Sequence, residues 1–223
     1  MDAGYVMLEL RLDNELVDAT VSIMMLFWLA VLLPLAVQCV LGATVGSRGD
    51  IYSTMCVYPF GLGLTLFMTE MIKRLCSYLR PNFYEWCHFD KETLECQIQV
   101  SNDEWRKSFI YGHASISFCV TMTISLYLLQ RFGALSTVAM TEVECDGVPF
   151  VLQYQATRPS WIKRAASVLS IAPTMLAFFI SCSRVVDNSH HPADVVGGAL
   201  LGTAMALFAN GLWYVLILLL LPH

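Results

Sequence analysis

Three short stretches of this 223-residue chain set basic residues and histidines against long apolar runs: KRLCSYLRP (Lys73 to Pro81), IYGHAS (Ile110 to Ser115) and SRVVDNSHHPAD (Ser183 to Asp194). Any one of them would be ordinary. Together they supply the cations Lys73, Arg80 and Arg184, the histidines His113 and His190, and the carboxylate of Asp194. Such a set can hold the oxygens of a phosphate ester, attack its phosphorus and protonate the group that leaves.

The third stretch is the most specific. Pro192 suits the first turn of a helix, which places His190 just ahead of the helix start. Asp194, four residues on, can hydrogen-bond the ring, fix its tautomer and stabilise the cation that forms on attack. Arg184 offers a planar fork for phosphate oxygens. His191 competes as nucleophile, but its spacing to Asp194 is three and it abuts Pro192. In the second stretch Gly112 and His113 open an apolar run. Free N–H groups at a helix start attract an anion, and glycine lets it come close; His113 then stands as general acid. In the first stretch Lys73 and Arg80 are seven apart, on one helical face and about 10 Å apart along the axis. Pro81 is expected to end that helix and leave Arg80 in its last turn.

Each stretch has a plainer reading when taken alone. A Lys or Arg at the end of an apolar run snorkels towards lipid headgroups, and a single histidine there rests at the interface. Zinc bound by His113, His190, His191 and Asp194 is a rival arrangement. The surrounding Lys and Arg would repel a cation, so no metal and no other cofactor is expected.

The elements that must position these residues are membrane helices. The chain is 57% hydrophobic and 14% charged, against roughly 25% charged in soluble domains. Its net charge of −5 argues against nucleic acid as a partner. Five runs approach the roughly 20 apolar residues that cross a bilayer: Val21–Val45, Ile51–Thr69, His113–Gln130, Ala165–Ser183 and Val195–Leu221, none holding Lys, Arg, Asp or Glu. The expected fold is an all-α polytopic membrane bundle. It has an acidic tail at 1–20 and a membrane domain at 21–221, with spans near 21–45, 51–72, 113–131, 165–183 and 195–221. A turn is expected at Gly46–Asp50 and a small hairpin around Asp146-Gly147. Gly198, Gly202, Ala206 and Asn210 form a stripe of small residues at four-residue spacing, suited to close helix packing.

Alternate loops of five spans share a side, so all three stretches face one compartment. Shifting any one of them by a single span would break that agreement. Raw Lys and Arg counts favour the cell interior for this side. Three of those residues are assigned to phosphate, however, and the acids and the cysteine pair of the long loop favour the lumen or cell exterior. Four of the eight cysteines, Cys39, Cys56, Cys119 and Cys182, lie in apolar runs and no C-x-x-C occurs. Cys87 and Cys96 share one polar loop and are the disulfide candidates.

In order and spacing the three stretches resemble the tripartite signature of the type 2 phosphatidic acid phosphatase superfamily: K-x6-R-P, P-S-G-H and S-R-x5-H-x3-D. SFIYGHASIS, LYLLQRF and SRVVDNSHHPADVVGGAL look most like the animal lipid phosphate phosphatases. The resemblance implies that Lys73, Arg80, Arg184 and the Gly112 amide bind phosphate, and that His190 becomes a phosphohistidine supported by Asp194. It further implies that His113 protonates the departing alcohol and that no metal takes part. Tyr111 stands where the family has a phosphate-binding serine, and Ile110 where the motif has proline. The family has six spans where this chain shows five, the family's first lacking a counterpart; either the protein is short at its N-terminus or Met1 is not its natural start.

The resulting expectation is a metal-independent hydrolase of lipid phosphate monoesters such as phosphatidate, lysophosphatidate or sphingoid phosphates. It would sit in the plasma membrane or an endomembrane such as the ER or Golgi. Its partners are lipid phosphates and the bilayer, with self-association into a homo-oligomer left open. The alternatives are a catalytically silent homologue that binds lipid phosphate, and a lipid phosphotransferase.

Overall fold

The computed structural model describes residues 12–15, 17–44, 48–93, 95–97, 107–132, 142–145, 148–151 and 159–220. Most of the acidic tail, and the Asp146-Gly147 turn, lie outside the described residues. Within them five helices are long and apolar enough to cross a membrane: Met24–Thr44, Met55–Cys76, Gly112–Arg131, Ser160–Val186 and Pro192–Trp213. The protein is an all-α membrane bundle with very little sheet.

Prolines shape these helices. The first span runs as α1 (Ile23–Leu26), a π-helical stretch (Phe27–Leu32) and α2 (Leu33–Thr44). Pro34 brings no N–H and its ring crowds the carbonyl four residues back. The widened turn just before it, where the Leu33 N–H reaches the Trp28 carbonyl, relieves that crowding. The fourth span is α6 (Ser160–Leu169) and α7 (Ile171–Val186), broken at Ser170. Pro173 cannot donate to the Leu169 carbonyl, so the break falls where that bond is missing.

The second span, α3, runs Arg48–Cys76, and two expectations need correcting here. The helix already begins at Arg48, inside the turn expected at Gly46–Asp50. At the other end Arg80 is not helical. Ser77 takes a left-handed φ of 42° and stops the helix, and a residue before proline resists the α conformation. Lys73 and Arg80 therefore do not share a helical face.

Between α3 and the third span lie the one-turn α4 (Phe83–Trp86) and a two-residue ladder, β1 (Phe89–Asp90) against β2 (Glu95–Cys96). Cys87 and Cys96 form a disulfide beside that ladder. On the opposite side β3 (Glu142–Cys145) pairs antiparallel with β4 (Val148–Val151), Cys145 facing Val148.

The third span, α5 (Gly112–Arg131), is the bundle's central helix, packed by α3, α7 and α8 (Pro192–Leu220). Its buried residues include Ser117, Thr121, Thr123 and Ser125. Short hydroxyls suit this place because each bonds a carbonyl of its own helix, as Thr121 does to Ser117 at 2.7 Å and Thr123 to Cys119 at 2.9 Å. They also let neighbours approach. The stripe on α8 lies directly on α5: a Cβ at Gly198 would stand 2.6 Å from the Tyr111 carbonyl, and one at Gly202 would stand 2.2 Å from that of Ser115. No side chain fits there. Large apolar side chains such as Trp28, Phe67, Phe179 and Leu200 point outward, where lipid would meet them.

Candidate active site

Two helix starts, two helix ends and the segment carrying Arg80 build the site. The end of α7 is a left-handed turn at Asn188, φ 52°, a residue type that tolerates it. The Ser189 N–H reaches back to the Arg184 carbonyl at 3.1 Å and the Asn188 N–H to that of Val185 at 3.2 Å, a Schellman ending. This ending turns the chain so that His190 follows Arg184 closely in space. Pro192 then opens α8, and Asp194, third in the helix, accepts the His191 N–H at 3.0 Å through Oδ2. That is the reciprocal half of a capping box, and it pins the carboxylate beneath His190.

His190 and Asp194 are both buried, at 4% and 0% exposure. His190 Nδ1 lies 3.1 Å from the Ser108 carbonyl and 3.4 Å from Asp194 Oδ2. A carbonyl only accepts, so Nδ1 carries the proton and Nε2 of the neutral ring holds the lone pair. The Ser108 hydroxyl completes the arrangement with a hydrogen bond to Asp194 Oδ2. Burial pushes the His190 pKa down to about 4; the hydrogen bond to Asp194 opposes the fall, and the charges of Arg80 and Arg184 add to it. The ring is thus neutral over the physiological range. A neutral imidazole with Nδ1 tied and Nε2 unprotonated is chemically a nucleophile.

The start of α5 comes to the same place. The Tyr111 N–H donates to the Asp194 carbonyl at 3.2 Å, locking the second stretch to the third. Gly112, His113 and Ala114 form the first turn, where N–H groups lack partners within the helix. Lys73 Nζ lies over this turn, 3.4 Å from where a Gly112 Cβ would be, and pairs with Glu70 at 2.9 Å. Tyr111 is buried, stacked on His113 at 4.9 Å between ring centroids and tilted against His190 at 4.1 Å. Its ring therefore touches both histidines. Burial raises the pKa of its phenol, and the charges of Arg184 and Arg80 oppose that rise.

The structure thus draws Lys73, Arg80, Tyr111, Gly112, His113, Arg184, His190 and Asp194 to one end of the bundle. His191 stands apart: its Nε2 is 3.2 Å from the Leu79 carbonyl and its ring meets the edge of Tyr78, so it braces the segment that carries Arg80. Cys87 and Cys96 lie in the loop between α3 and α5. Among the described residues no three His, Cys, Asp or Glu side chains are arranged as metal ligands.

Ser108 and Asp187 escaped the sequence reading. Asp187, buried at 1% exposure, holds Arg184 Nη1 at 3.3 Å. Ser108 sits five residues before His113, but nothing in its spacing announces a bond to a carboxylate 86 residues away. Asp187 lay in plain view inside the third stretch, three residues from the arginine it meets.

Comparison with known proteins identifies the family. The family model described as PAP2 superfamily matches residues 54–217. Lipid phosphate phosphatase 1 of Arabidopsis thaliana is 29% identical over 205 residues, covering 88% of this chain and 56% of the relative. Phospholipid phosphatase 1 of Mus musculus is 24% identical over 168 residues, covering 70% and 50%, and phospholipid phosphatase 2 of Homo sapiens is 23% identical over 167 residues, covering 70% and 49%. The chain spans about half the length of these curated relatives. No solved structure is significantly similar. The matched stretch takes in all three motifs and the four helices that carry them, and on that evidence the chain belongs to the PAP2 superfamily.

Proposed function

We propose that the protein hydrolyses lipid phosphate monoesters, of the phosphatidate, lysophosphatidate or sphingoid phosphate class, without metal and through a phosphohistidine. Lys73, Arg80, Arg184 and the first-turn N–H groups of α5 hold the phosphoryl oxygens. His190 Nε2 attacks phosphorus in line, the bond to the lipid oxygen breaks, and His113 gives its proton to that oxygen. A water molecule, its proton taken by His113, then attacks the phosphohistidine and releases inorganic phosphate and free His190. Asp194 and the Ser108 carbonyl stabilise the imidazolium character that develops on attack.

The observation that carries this reading is the tethering of His190 Nδ1, which leaves Nε2 as the one ring nitrogen able to attack. The names of the relatives support the substrate class. The Cys87–Cys96 disulfide supports a site facing the lumen or cell exterior, in the plasma membrane or an endomembrane. The test is phosphate release from a panel of lipid phosphates by purified protein in detergent containing EDTA. Release by wild type and none by His190→Ala is the expected result; release that requires added zinc or magnesium overturns the metal-independent mechanism.

One observation favours a second reading, a silent homologue that binds lipid phosphate. The Tyr111 ring fills space against both histidines. Activity gained only in Tyr111→Ser would establish that reading.

A further inference from the structure

We infer that the segment preceding the first span is part of the phosphate site, with Thr20 acting as a positioning residue for Arg184 through Asp187. This rests on Arg184 binding phosphate, as proposed above. Thr20 grips the Asp187 carboxylate at both oxygens: its N–H donates to Oδ2 at 2.9 Å and its hydroxyl to Oδ1 at 2.6 Å. Asp187 Oδ2 in turn accepts from Arg184 Nη1 at 3.3 Å.

The arrangement sets how tightly the carboxylate holds the arginine. Asp187 caps the end of α7, and its charge is buried. With two donors from Thr20 satisfying it, the carboxylate meets Arg184 at one nitrogen of its fork, and that end-on contact aims the guanidinium. Without the Thr20 hydroxyl, Oδ1 loses its partner, the carboxylate is free to rotate, and its end-on contact no longer fixes the direction of the guanidinium. Neither Thr20 nor Asp187 touches the substrate.

Other contacts make the segment a strap and not a single peg. Asn188 Nδ2 donates to the Glu15 carbonyl at 3.3 Å, the Asn14 side chain donates to the carbonyl of Pro81 at 3.3 Å, and Asp13 pairs with Lys91 at 2.5 Å. Pro81 follows Arg80, and Asn188 lies two residues before His190. The strap is therefore fastened beside both arginine-bearing segments. Val21, 1% exposed, packs with Leu26 and Ile180 and anchors its end in the bundle. All of it precedes residue 54, where the family match begins.

The test compares Thr20→Val, Thr20→Ser, Asp187→Asn and Arg184→Ala in the full chain. It measures kcat and KM for one lysophospholipid phosphate, and vanadate binding by calorimetry, which needs no turnover. Loss of one side chain's preorganisation predicts vanadate binding and KM weakened about three- to tenfold in Thr20→Val. kcat should change less, Thr20→Ser should stay near wild type, and Asp187→Asn should follow Thr20→Val. Wild-type vanadate affinity in both Thr20→Val and Asp187→Asn, with Arg184→Ala impaired, overturns the positioning role and leaves the proposed function standing. Wild-type affinity in Arg184→Ala overturns both. Equal impairment of Thr20→Ser and Thr20→Val, or a fall in kcat at unchanged KM and vanadate affinity, also overturns it.

Discussion

Gly198→Ala should damage catalysis although Gly198 carries no side chain and touches no substrate. The added methyl would stand 2.6 Å from the Tyr111 carbonyl oxygen, 2.8 Å from Ala114 Cβ and 3.2 Å from the Ser115 nitrogen. Restoring a contact of 3.4 Å to that oxygen requires α5 and α8 to part by about 0.8 Å. That carbonyl belongs to the Tyr111–Gly112 peptide that starts α5, and the N–H of Tyr111 donates to the Asp194 carbonyl, so the separation pulls the Gly112 amide and His113 away from His190. Misplacing reacting groups by roughly 1 Å costs on the order of a hundredfold in rate, and overpacking costs about 1–3 kcal/mol of stability. We expect kcat/KM for lipid phosphate to fall ten- to a hundredfold, with a modest drop in Tm in detergent. Gly63→Ala is the control, because a Cβ there meets nothing within 4 Å, and it should stay within about twofold of wild type, the range of a surface substitution. A folded Gly198→Ala protein with wild-type kcat/KM would refute the idea that this helix contact sets the site's geometry.

His190→Ala should abolish turnover, whereas His113→Ala should be far milder on aryl phosphates than on lipid phosphates, because phenolate leaves without a proton; equal losses on both substrates would deny His113 its acid role. With the His190 pKa held near 4, the reactive neutral ring persists as pH falls through 6.5, so kcat/KM should show its acid limb near pH 4. A limb near 6.5 beyond the one set by the substrate's own second ionisation, about 6, would contradict the buried placement of the ring. Ser108→Ala removes a hydroxyl from Asp194 but keeps the carbonyl on Nδ1, and a lost hydrogen bond to a charged group is worth about 1.5–3 kcal/mol; kcat should fall ten- to a hundredfold with KM little changed. Tyr111→Ser should be faster than wild type on bulky diacyl phosphates if the ring only crowds the pocket. If the phenol hydroxyl has taken over a phosphate contact, Tyr111→Phe should instead be slower; equality of all three proteins would place this position outside the phosphate site.

The spans were legible because lipid imposes a long, uninterrupted apolar signal, and the three motifs because each is local. Pro192 and Asp194 announce the start of α8 within three residues, and Gly198 and Gly202 announce its packing face. Arg80 was misread as helical because Pro81 explains where a helix cannot continue, not where it stops; the left-handed Ser77 decides that four residues earlier. Ser108 and Thr20 were not legible at all. Each acts on a carboxylate far along the chain, across 86 and 167 residues, and such contacts exist only once the bundle has formed. The placement of Tyr111 was likewise invisible, since it depends on His113 and His190 arriving from segments far apart in the chain.

Asp194 has two employments, one in the start of α8 and one beneath His190, and this bears on how degenerate relatives should be recognised. A copy of this gene released from any demand for turnover would still need α8 to begin correctly. Selection for a properly inserted protein would therefore go on preserving the aspartate long after chemistry had ceased. His190 takes no part in starting α8, so that particular demand would not preserve it. An intact Asp194 in a sequence is thus poor testimony of activity, and the histidine before it is the better witness.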